Sequence, residues 1–340
     1  MSRVTLARMQ EDLSRLAAAK AGDQSAFGEL VAGYRRELRA YCYRMTGSLH
    51  DADDLLQESL LRAWRGLPSF EGRSSFRTWL YRVTFTACVD ATQNRPARML
   101  AIDCRGPAAP HDPLPAPEPD RWIDPCPASM LQDSESSPEA RYGQKESVAL
   151  AFLAALQLLP PRQRAMLLAC DVLGWTAPEC AEMFDSTVAS VHSAVQRARE
   201  TLEARAERWR PTLPSPETTR ALLERYVQAW ESADVELLAK LLHEDATLSM
   251  PPLPMWLRGV RAIAESIGAM VLVPEARGQL RLLQTEANGL PAFAAYRRAP
   301  DHGFAPMALH LLSLSEDRVM TITAFLDPSL FARFELPARI

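Results

Sequence analysis

The sequence predicts a multidomain protein in which two all-α domains are followed by an α+β domain. Apolar residues recur at helical spacing through the first ninety residues and again from 148 to 206, and a proline-rich stretch separates the two patterns. Beyond residue 217, two helical patterns give way to alternating runs typical of antiparallel strands. At 340 residues the chain has room for two or three domains with cores of their own. The predicted segments are 10–95, 96–147, 148–210 and 217–336.

Composition gives little indication of the partner. Hydrophobic residues make up 47% and charged residues 24% of the chain, as in an ordinary soluble protein. With 38 basic against 42 acidic residues the net charge is −4, so the whole molecule has no bulk attraction for a polyanion. Residues 1–95 hold 14 basic and 11 acidic side chains, which leaves the leading domain at +3 and the remainder at −7. Any contact with DNA must therefore come from local patches.

The cysteines and the apolar runs favour a protein of the reducing cytoplasm. Six cysteines occur with no CxxC pair and no histidine at ligand spacing beside a cysteine pair, so we expect neither a metal site nor a disulfide framework, but reduced thiols. The N-terminus lacks the apolar core of a signal peptide, and the best apolar run, Val148 to Leu159, is too short to span a bilayer. We expect a cytoplasmic location and no membrane partner.

The first predicted domain is a helical bundle. Residues 10–46 are expected to be helical with a break at Gly22-Asp23, and a second helix has its apolar face toward the core and an acidic face outside. A turn at Gly66-Leu67-Pro68 and a polar loop at 71–75 then lead into a helix that begins near Phe76. One surface can thus hold an acidic helix for a protein partner beside a basic, aromatic-rich loop for nucleic acid.

This segment resembles a known family. DADDLLQESLLRAW followed by FRTWLYRV is similar to region 2 of the sigma-70 family, specifically the extracytoplasmic-function sigma factors of bacterial RNA polymerase. The resemblance implies that the acidic helix docks on the coiled coil of the polymerase clamp, while the loop and next helix hold the melted non-template strand of the −10 element. The implied polymerase-facing residues are Asp53, Asp54, Gln57, Glu58 and Arg62. The implied −10 residues are Arg73, Ser74, Phe76, Arg77, Trp79 and Arg82. The alternative is that Trp64, Phe76 and Trp79 are core and that Arg73 and Arg77 lie on a merely solvated face.

A linker follows. Ten of the 26 prolines fall between Pro96 and Gly143, among Asp, Ser and Ala with little apolar periodicity. Proline removes backbone donors and disfavours helix, so we expect an extended, flexible segment over 96–147 without a packed core. In the sigma family the equivalent segment threads polymerase toward the RNA exit channel. Trp122 and Ile123 leave open a local docking, for instance onto the C-terminal domain.

Residues 148–210 predict a helix-turn-helix. A short helix at 177–184, a tight turn at Asp185-Ser186 and a long helix over 187–205 follow two apolar helices. From LPPRQRAML to QRARETL the segment resembles region 4 of the same sigma factors, which implies that the outer face of the long helix contacts the −35 element. The implied −35 residues are Ser190, His192, Ser193, Gln196, Arg197 and Arg199.

The sequence departs from the family pattern at several points. Asp185 stands where many relatives have glycine in the turn, and His192 and Ala194 stand where Lys and Arg are frequent. Residues 148–210 carry seven basic and seven acidic side chains, so isolated binding to −35 DNA is expected to be feeble and salt-sensitive. Phe85 and Thr86 replace polar or basic residues of relatives, which leaves the −10 consensus open.

The last domain resembles a different fold. ERYVQAWESADVELLAKLLHEDATLSMPP, with the later AFLDPSLFARFELP, is similar to the SnoaL-like group of the nuclear-transport-factor-like cone fold, which holds a pocket between helices and sheet. The implied pocket residues are Tyr226, Trp230, His243, Trp256 and His310, with Met250, Met255 and Phe293 as further apolar lining. His243, Asp245 and His310 are the candidate bases of an isomerase or cyclase. Each also has a structural interpretation, as a helix-end or core residue.

These patterns together predict a transcription initiation factor with a fused SnoaL-like domain that regulates it. Its expected partners are core RNA polymerase, at the clamp and flap, and promoter DNA, with an unknown small ligand at the last domain; no cofactor or metal is expected. One alternative is a bifunctional protein whose last domain is an isomerase, cyclase or hydrolase, which a converging acid and base would favour. Another is a helix-turn-helix regulator that works without polymerase, against which the acidic DLLQES helix argues.

Overall fold

The computed structural model describes residues 13–93, 95–130, 149–206, 215–300 and 303–340. The described residues form two compact units. The first comprises those of Met1–Pro96 and Ala155–Ala204, and the second those of Ala97–Ala154 and Arg205–Ile340. Residues 131–147 of the predicted linker lie outside the described residues, as do residues 211–214, between the last two predicted domains.

The helices of the first two predicted domains follow the expected order. Residues 13–20 are helical. The helices after them are α1 Gln24–Ala32, α2 Arg35–Thr46, α3 Leu49–Gly66, α4 Phe76–Thr92, α5 Leu150–Leu158, α6 Pro161–Leu167, α7 Ala177–Met183 and α8 Val188–Ala206. A π-helical turn, Leu168–Val172, follows α6 directly.

Local signals start and stop the helices around the acidic face. Ser48 caps α3 by accepting a hydrogen bond from the Asp51 amide, and Ser75 caps α4 in the same way at Thr78. Gly47 ends α2 with a φ of 69°, a conformation that glycine adopts without steric cost. The single helix predicted before residue 46 is interrupted a second time, at Gly33, where α1 ends.

The predicted helix-turn-helix is present. Thr176 and Glu179 form a capping box at the start of α7, and each side chain satisfies a backbone amide of the other's residue. The turn after α7 places Asp185 in the left-handed region, at a φ of 47°. Aspartate tolerates this conformation better than most residues, which explains how the turn forms where relatives have glycine.

The two helical parts pack together in the first unit. Phe85 of α4 stacks on Phe184 with ring centroids 5.3 Å apart and planes 9° apart. Arg164 of α6 is 4% exposed and donates to the Met45 carbonyl and to Gln157, whose Oε1 lies 2.6 Å away. Burial lowers the pKa of Arg164 to about 10, and its hydrogen bonds to carbonyl groups compensate for the lost hydration.

The second unit contains the predicted α+β domain. Its helices are α9 Pro216–Glu231, α10 Val235–Leu241, α11 Val260–Met270 and α12 Leu330–Arg333. Its strands are β1 Leu242–Ser249, β2 Trp256–Arg258, β3 Leu280–Ala287, β4 Leu290–Arg298, β5 Phe304–Ser315 and β6 Arg318–Phe325. The sequence patterns predict strands at 246–250, 278–287, 291–297, 305–315 and 319–326, which correspond to all of these strands except β2.

One six-stranded sheet organises this domain. The strand order is β2-β1-β6-β5-β4-β3, in which β1 and β6 are parallel and every other neighbouring pair is antiparallel. Helices α9, α10 and α11 contribute side chains to one hydrophobic core with the sheet, among them Tyr226, Leu238 and Ile263. Helices that cover a curved sheet form the cone architecture that the SnoaL-like resemblance implied.

The segment before residue 131 is packed against this domain, so the prediction of a linker without a packed core is wrong for residues 97–130. Trp122, Ile123 and Cys126 are each at most 3% exposed. Trp122 Nε1 donates to the Pro252 carbonyl at 3.0 Å, and the Cys126 amide donates to Asn288 Oδ1 at 2.8 Å. The local docking that Trp122 and Ile123 left open is what occurs, because both side chains are buried on one domain, whereas Ile102 and Leu114 stay exposed.

Candidate polymerase and nucleic-acid interfaces

The acidic face of α3 lies at the surface. Asp54 and Gln57 are exposed and Glu58 is half-buried, while Leu55 and Leu56 point into the core. Asp54 lies 3.6 Å from His50 Nε2, and Arg62 donates to Glu58 Oε1 at 2.7 Å. These ion pairs are solvent-exposed and worth little, so a basic partner displaces them readily.

Not every predicted residue of this face is equally available. Asp53 accepts two hydrogen bonds from Arg39 of α2, at 2.5 and 3.1 Å, and the pair ties α3 to its neighbour. Arg62 also reaches Asp90 of α4, at 3.3 Å. Asp53 and Arg62 therefore connect helices of the bundle, and Asp54, Gln57 and Glu58 are the residues that present the face.

The loop before α4 combines exposed polar groups with a cluster of aromatic rings. Arg73 and Arg82 are exposed and Ser74 is half-buried. The rings of Phe70, Phe76 and Trp79 form three pairs with centroids 5.1 to 6.3 Å apart. Phe76 and Trp79 are partly exposed, so each ring packs on the domain and still presents some surface to solvent. Rings of this kind can stack on unpaired bases.

Arg77, the central predicted −10 residue, is engaged within the first unit. Its guanidinium lies 4.4 Å from the ring centroid of Trp175 and 5.0 Å from that of Tyr81. It also donates to Glu37 Oε1 at 3.4 Å. Trp175, which follows Gly174 in the loop before the helix-turn-helix, thus covers Arg77 but not the other predicted −10 residues, which keep exposed surface.

The sequence patterns did not single out Trp175 as a functional residue. Its only local signal is the Gly-Trp pair that ends α6 and its π-turn, and its importance comes from packing against residues about a hundred positions earlier. Trp175 is 6% exposed, and its amide donates to the Ala169 carbonyl at 3.0 Å. The backbone bond and the aromatic contacts together fix the loop.

All six predicted −35 residues lie on the exposed face of α8. Val191, Ala194, Val195 and Ala198 form the buried stripe, whereas Val188, which the helical spacing places on the same stripe, is 40% exposed. Gln196 Nε2 donates to Glu200 Oε1 at 3.0 Å, and Thr187 Oγ1 accepts from the Ser190 amide at the start of the helix. The outer face therefore has polar side chains that can exchange their present hydrogen bonds for bonds to base edges or phosphates.

Arg199 differs from the other five residues. It donates from two nitrogens to the carboxylate of Asp171, at 2.7 and 2.9 Å. This fork-to-fork pair raises the pKa of Arg199 and anchors α8 to the π-turn after α6. Arg199 thus positions the recognition helix as well as lying on its face.

The predicted pocket residues divide into two groups. Tyr226, Trp230 and His310 come together in the core, each at most 2% exposed. The Tyr226 hydroxyl and His310 Nδ1 share a hydrogen bond of 3.1 Å, and the Trp230 ring centroid lies 4.5 Å from that of His310. Burial lowers the pKa of His310 to about 4 and raises that of Tyr226, so both are neutral at physiological pH.

His243 and Trp256 do not belong to this group. His243 Nδ1 accepts from the Asp245 amide, and Asp245 in turn accepts from Arg258 at 2.8 Å, near the exposed start of β1. Leu242, next to His243, pairs with Val319, which is five positions along β6 from Ala324, the partner of His310, so the two histidines lie at different points of the sheet. Trp256 packs on Ala101 and Trp122 of the docked segment. His243 with Asp245 and His310 do not converge as an acid and base.

Among the described residues, no group of three or more His, Cys, Asp or Glu side chains is placed to hold a metal ion. Within the same parts of the chain, no helix has both the length and the apolar character needed to cross a bilayer.

Comparison with known proteins identifies the family. Residues 30–95 match the model of sigma-70 region 2, and residues 149–202 match that of sigma-70 region 4. The chain is 43% identical over 319 residues to the ECF RNA polymerase sigma factor SigG of Mycobacterium tuberculosis, an alignment that covers 93% of this chain and 84% of SigG. This chain belongs to the extracytoplasmic-function sigma factors. It is a transcription initiation factor.

One further relative and one solved structure are also similar to this chain. This sigma factor is 30% identical over 193 residues to the ECF sigma factor SigM of M. tuberculosis, across 57% of this chain and 83% of SigM. The crystal structure of M. tuberculosis SigJ matches with a TM-score of 0.56 at 20% identity, across 91% of this chain and 99% of SigJ. The SigJ likeness concerns the fold, and it extends over the helical domains and the C-terminal sheet domain together.

Proposed function

We propose that this sigma factor carries core RNA polymerase to −10 and −35 promoter elements in the cytoplasm, and that its C-terminal domain modulates initiation by holding the segment between the two promoter-binding regions. The observation that carries the second part is the docking of residues 97–130. That segment joins region 2 to region 4, so whatever holds it restricts how far the two regions separate.

The polymerase contact uses the acidic face of α3. Asp54, Gln57 and Glu58 are presented to solvent with only weak exposed pairs to displace, and a basic or amide-rich partner surface on the clamp complements them. The flap is the corresponding partner for region 4. Association at these surfaces has electrostatic specificity without requiring burial of an unpaired charge.

The −10 contact uses the loop before α4 and the aromatic cluster behind it. Arg73 and Arg82 attract the backbone, and Phe76 and Trp79 offer rings for flipped bases. Arg77 joins them only after it leaves Trp175, and a partly exposed cation–π contact is worth about 0.5–2 kcal/mol. Polymerase and DNA binding together can supply that free energy, so region 4 must move away from α4 before Arg77 contacts DNA.

The −35 contact uses the outer face of α8. Ser190, His192, Ser193, Gln196 and Arg197 face solvent, and Arg199 keeps the helix anchored. Because few positive charges lie on this face, polymerase tethering supplies the effective concentration that isolated region 4 lacks.

The C-terminal domain acts by binding rather than by chemistry in this proposal. Its buried histidine is neutral and hydrogen-bonded to a tyrosine, and no second acid or base among the described residues faces it. Docking of the segment has two arrangements, held and released, and any ligand or partner with different affinities for the two shifts initiation.

A substitution in one hairpin turn tests the modulation. Asn288 lies in the β3–β4 turn at a φ of 51°, and its side chain accepts from the Cys126 amide. Asn288→Gly retains a residue that favours this conformation and removes the acceptor for the Cys126 amide, so we expect the segment to loosen while the hairpin keeps its turn. Glu316→Gly is the matched control, because Glu316 occupies the β5–β6 turn at a φ of 53° and is exposed.

The assay is run-off transcription with core polymerase at matched protein concentrations. We expect deletion of residues 217–340 to change initiation severalfold without abolishing polymerase binding, Asn288→Gly to shift it in the same direction, and Glu316→Gly to leave it unchanged. Equal activity of the full-length, truncated and Asn288→Gly proteins would show that the domain is a passenger.

A further inference from the structure

Two cysteines of the helix-turn-helix region lie in contact. Cys170 is in the π-turn after α6 and Cys180 is in α7, and their sulfur atoms are 3.4 Å apart. The loop between them is fixed by the bond from the Trp175 amide to the Ala169 carbonyl and by the capping box of Thr176. The fold therefore holds the two thiols close together, although they are ten residues apart in the sequence.

The two thiols have different environments. Cys170 is half-buried, whereas Cys180 is 0% exposed. The pKa of Cys170 is lowered, chiefly by a hydrogen bond from Cys180 and further by the nearby Arg199 guanidinium, although burial and Asp171 oppose this. The pKa of Cys180 is raised by the same hydrogen bond and by burial. The accessible sulfur is the one that ionises first, and a thiolate is the reactive form.

We propose that Cys170 and Cys180 form a peroxide-sensitive dithiol, in which Cys170 reacts first and Cys180 resolves it to a disulfide within the helix-turn-helix region. The Cys170 thiolate attacks a hydroperoxide oxygen, the O–O bond breaks, and Cys170 becomes a sulfenic acid as water or an alcohol leaves. The Cys180 sulfur then displaces hydroxide from the sulfenic sulfur, and its proton completes a second water. Two thiols are oxidised and one peroxide is reduced.

Closing this bond moves the anchor of the recognition helix. The sulfur atoms must approach from 3.4 Å to about 2.05 Å. Cys170 is adjacent to Asp171, whose carboxylate holds Arg199 of α8 in a two-bond pair. A displaced π-turn shifts that pair and the outer face of α8. On the proposed −35 role of this face, the oxidised protein initiates less from promoters that depend on a −35 element.

A second cysteine pair serves as an internal control. Cys42 and Cys88 lie with sulfur atoms 3.6 Å apart in the region 2 bundle, but both are 0% exposed. The pKa of Cys88 is raised, first by its hydrogen bond with Cys42 and then by burial. Similar proximity without solvent access predicts that this pair stays reduced in the folded protein.

The test oxidises the reduced full-length protein with hydrogen peroxide and maps the cysteines by mass spectrometry. We expect a Cys170–Cys180 disulfide in the unmodified protein. In Cys180→Ser we expect a sulfenic acid that dimedone traps at Cys170, and in Cys170→Ser no trapping at Cys180. Cys88→Ser should leave the disulfide unchanged. The proposal is overturned if no disulfide forms, if Cys42–Cys88 oxidises as fast, or if Cys180 is the trapped residue.

A transcription arm separates the chemistry from its consequence. Initiation with core polymerase should fall severalfold on oxidation, recover with dithiothreitol and become peroxide-insensitive in Cys170→Ala. A mapped disulfide with unchanged initiation would refute the link to the −35 face and leave the thiol chemistry standing. The role of that face is tested separately with the Gln196 and Arg197 variants, which should initiate less than the unmodified protein when both are reduced.

Discussion

Trp122 is the residue whose removal tests the docked segment most sharply. It is 3% exposed, packs with Ala101 and Trp256, and donates to the Pro252 carbonyl at 3.0 Å. Truncation of a buried tryptophan to alanine costs about 3–5 kcal/mol. If that free energy acts on local docking, the ratio of docked to undocked segment falls by about two to four powers of ten. The sheet itself should keep its stability, because Trp122 is outside its core.

Amide hydrogen exchange of the full-length Trp122→Ala protein measures this directly. The amides of Ala108, Glu118 and Cys126 bond to acceptors on the C-terminal domain. We expect these three amides to exchange about a hundredfold faster or more, while amides of β4 and β5 keep their protection.

Trp122→Phe supplies the graded control. Phenylalanine retains most of the buried ring but removes the indole donor, so we expect a loss of about 1 kcal/mol and roughly fivefold faster exchange at the same amides. Unchanged exchange in Trp122→Ala would refute the docking argument. An equal rise across β4 and β5 would refute it also, because the substitution would then act on the whole domain.

Three further outcomes are expected. Asp54→Arg with Glu58→Arg should abolish binding to core polymerase in a pull-down, because reversal of exposed charge opposes a basic partner at little cost in stability. Gln196→Ala or Arg197→Ala should weaken initiation from a −35-dependent promoter by about 1–3 kcal/mol where a base contact is lost, measured by run-off transcription across salt. Because the pKa of His310 lies near 4 in the folded state and about 6.5 unfolded, the unfolded state binds its proton first as pH falls. The free energy of unfolding should therefore fall by about 3 kcal/mol between pH 6.5 and pH 4. Thermal unfolding at several pH values measures this fall, which should be smaller in His310→Gln.

Matched variants keep these outcomes specific. Glu217→Arg with Glu224→Arg reverses two exposed carboxylates on α9 and should leave polymerase binding intact. Glu203→Ala changes an exposed residue on the same helix as Gln196 and should leave initiation intact. If the protein with Asp54→Arg and Glu58→Arg still binds polymerase normally, the acidic face of α3 is not the docking surface. If both the Gln196 and the Arg197 variants initiate normally, the outer face of α8 does not contact the −35 element. If His310→Gln has the same pH dependence of stability as the unmodified protein, His310 is not the cause of the decline.

Features with local causes could be predicted from the sequence. Ser48 and Ser75 mark the starts of α3 and α4, and the Thr176 capping box marks α7. Asn288-Gly289 predicted the β3–β4 hairpin, since both positions have positive φ. Strand β2 was missed because it has three residues and follows a proline-rich turn.

Features that depend on distant pairs could not be predicted. Trp122 and Pro252 are 130 positions apart, and composition around Trp122 indicates only an extended chain. The contact of Arg77 with Trp175 likewise joins two predicted domains. Arg77 was predicted to contact DNA, but its guanidinium packs on the ring of Trp175. In the C-terminal domain the patterns brought Tyr226, Trp230 and His310 into one prediction correctly as neighbours, but placed Trp256 with them, because periodicity does not tell which neighbour a buried ring packs on.

Reconstituted transcription tests the central claim most directly. Core RNA polymerase is combined with the purified full-length chain on a library of promoter sequences, with the Asp54→Arg, Glu58→Arg protein in parallel. We predict initiation that requires the chain, selects −10 and −35 elements at a fixed spacing, and is lost with the charge reversal. Initiation from no sequence in the library, or equal initiation by the charge-reversed protein, would contradict the account.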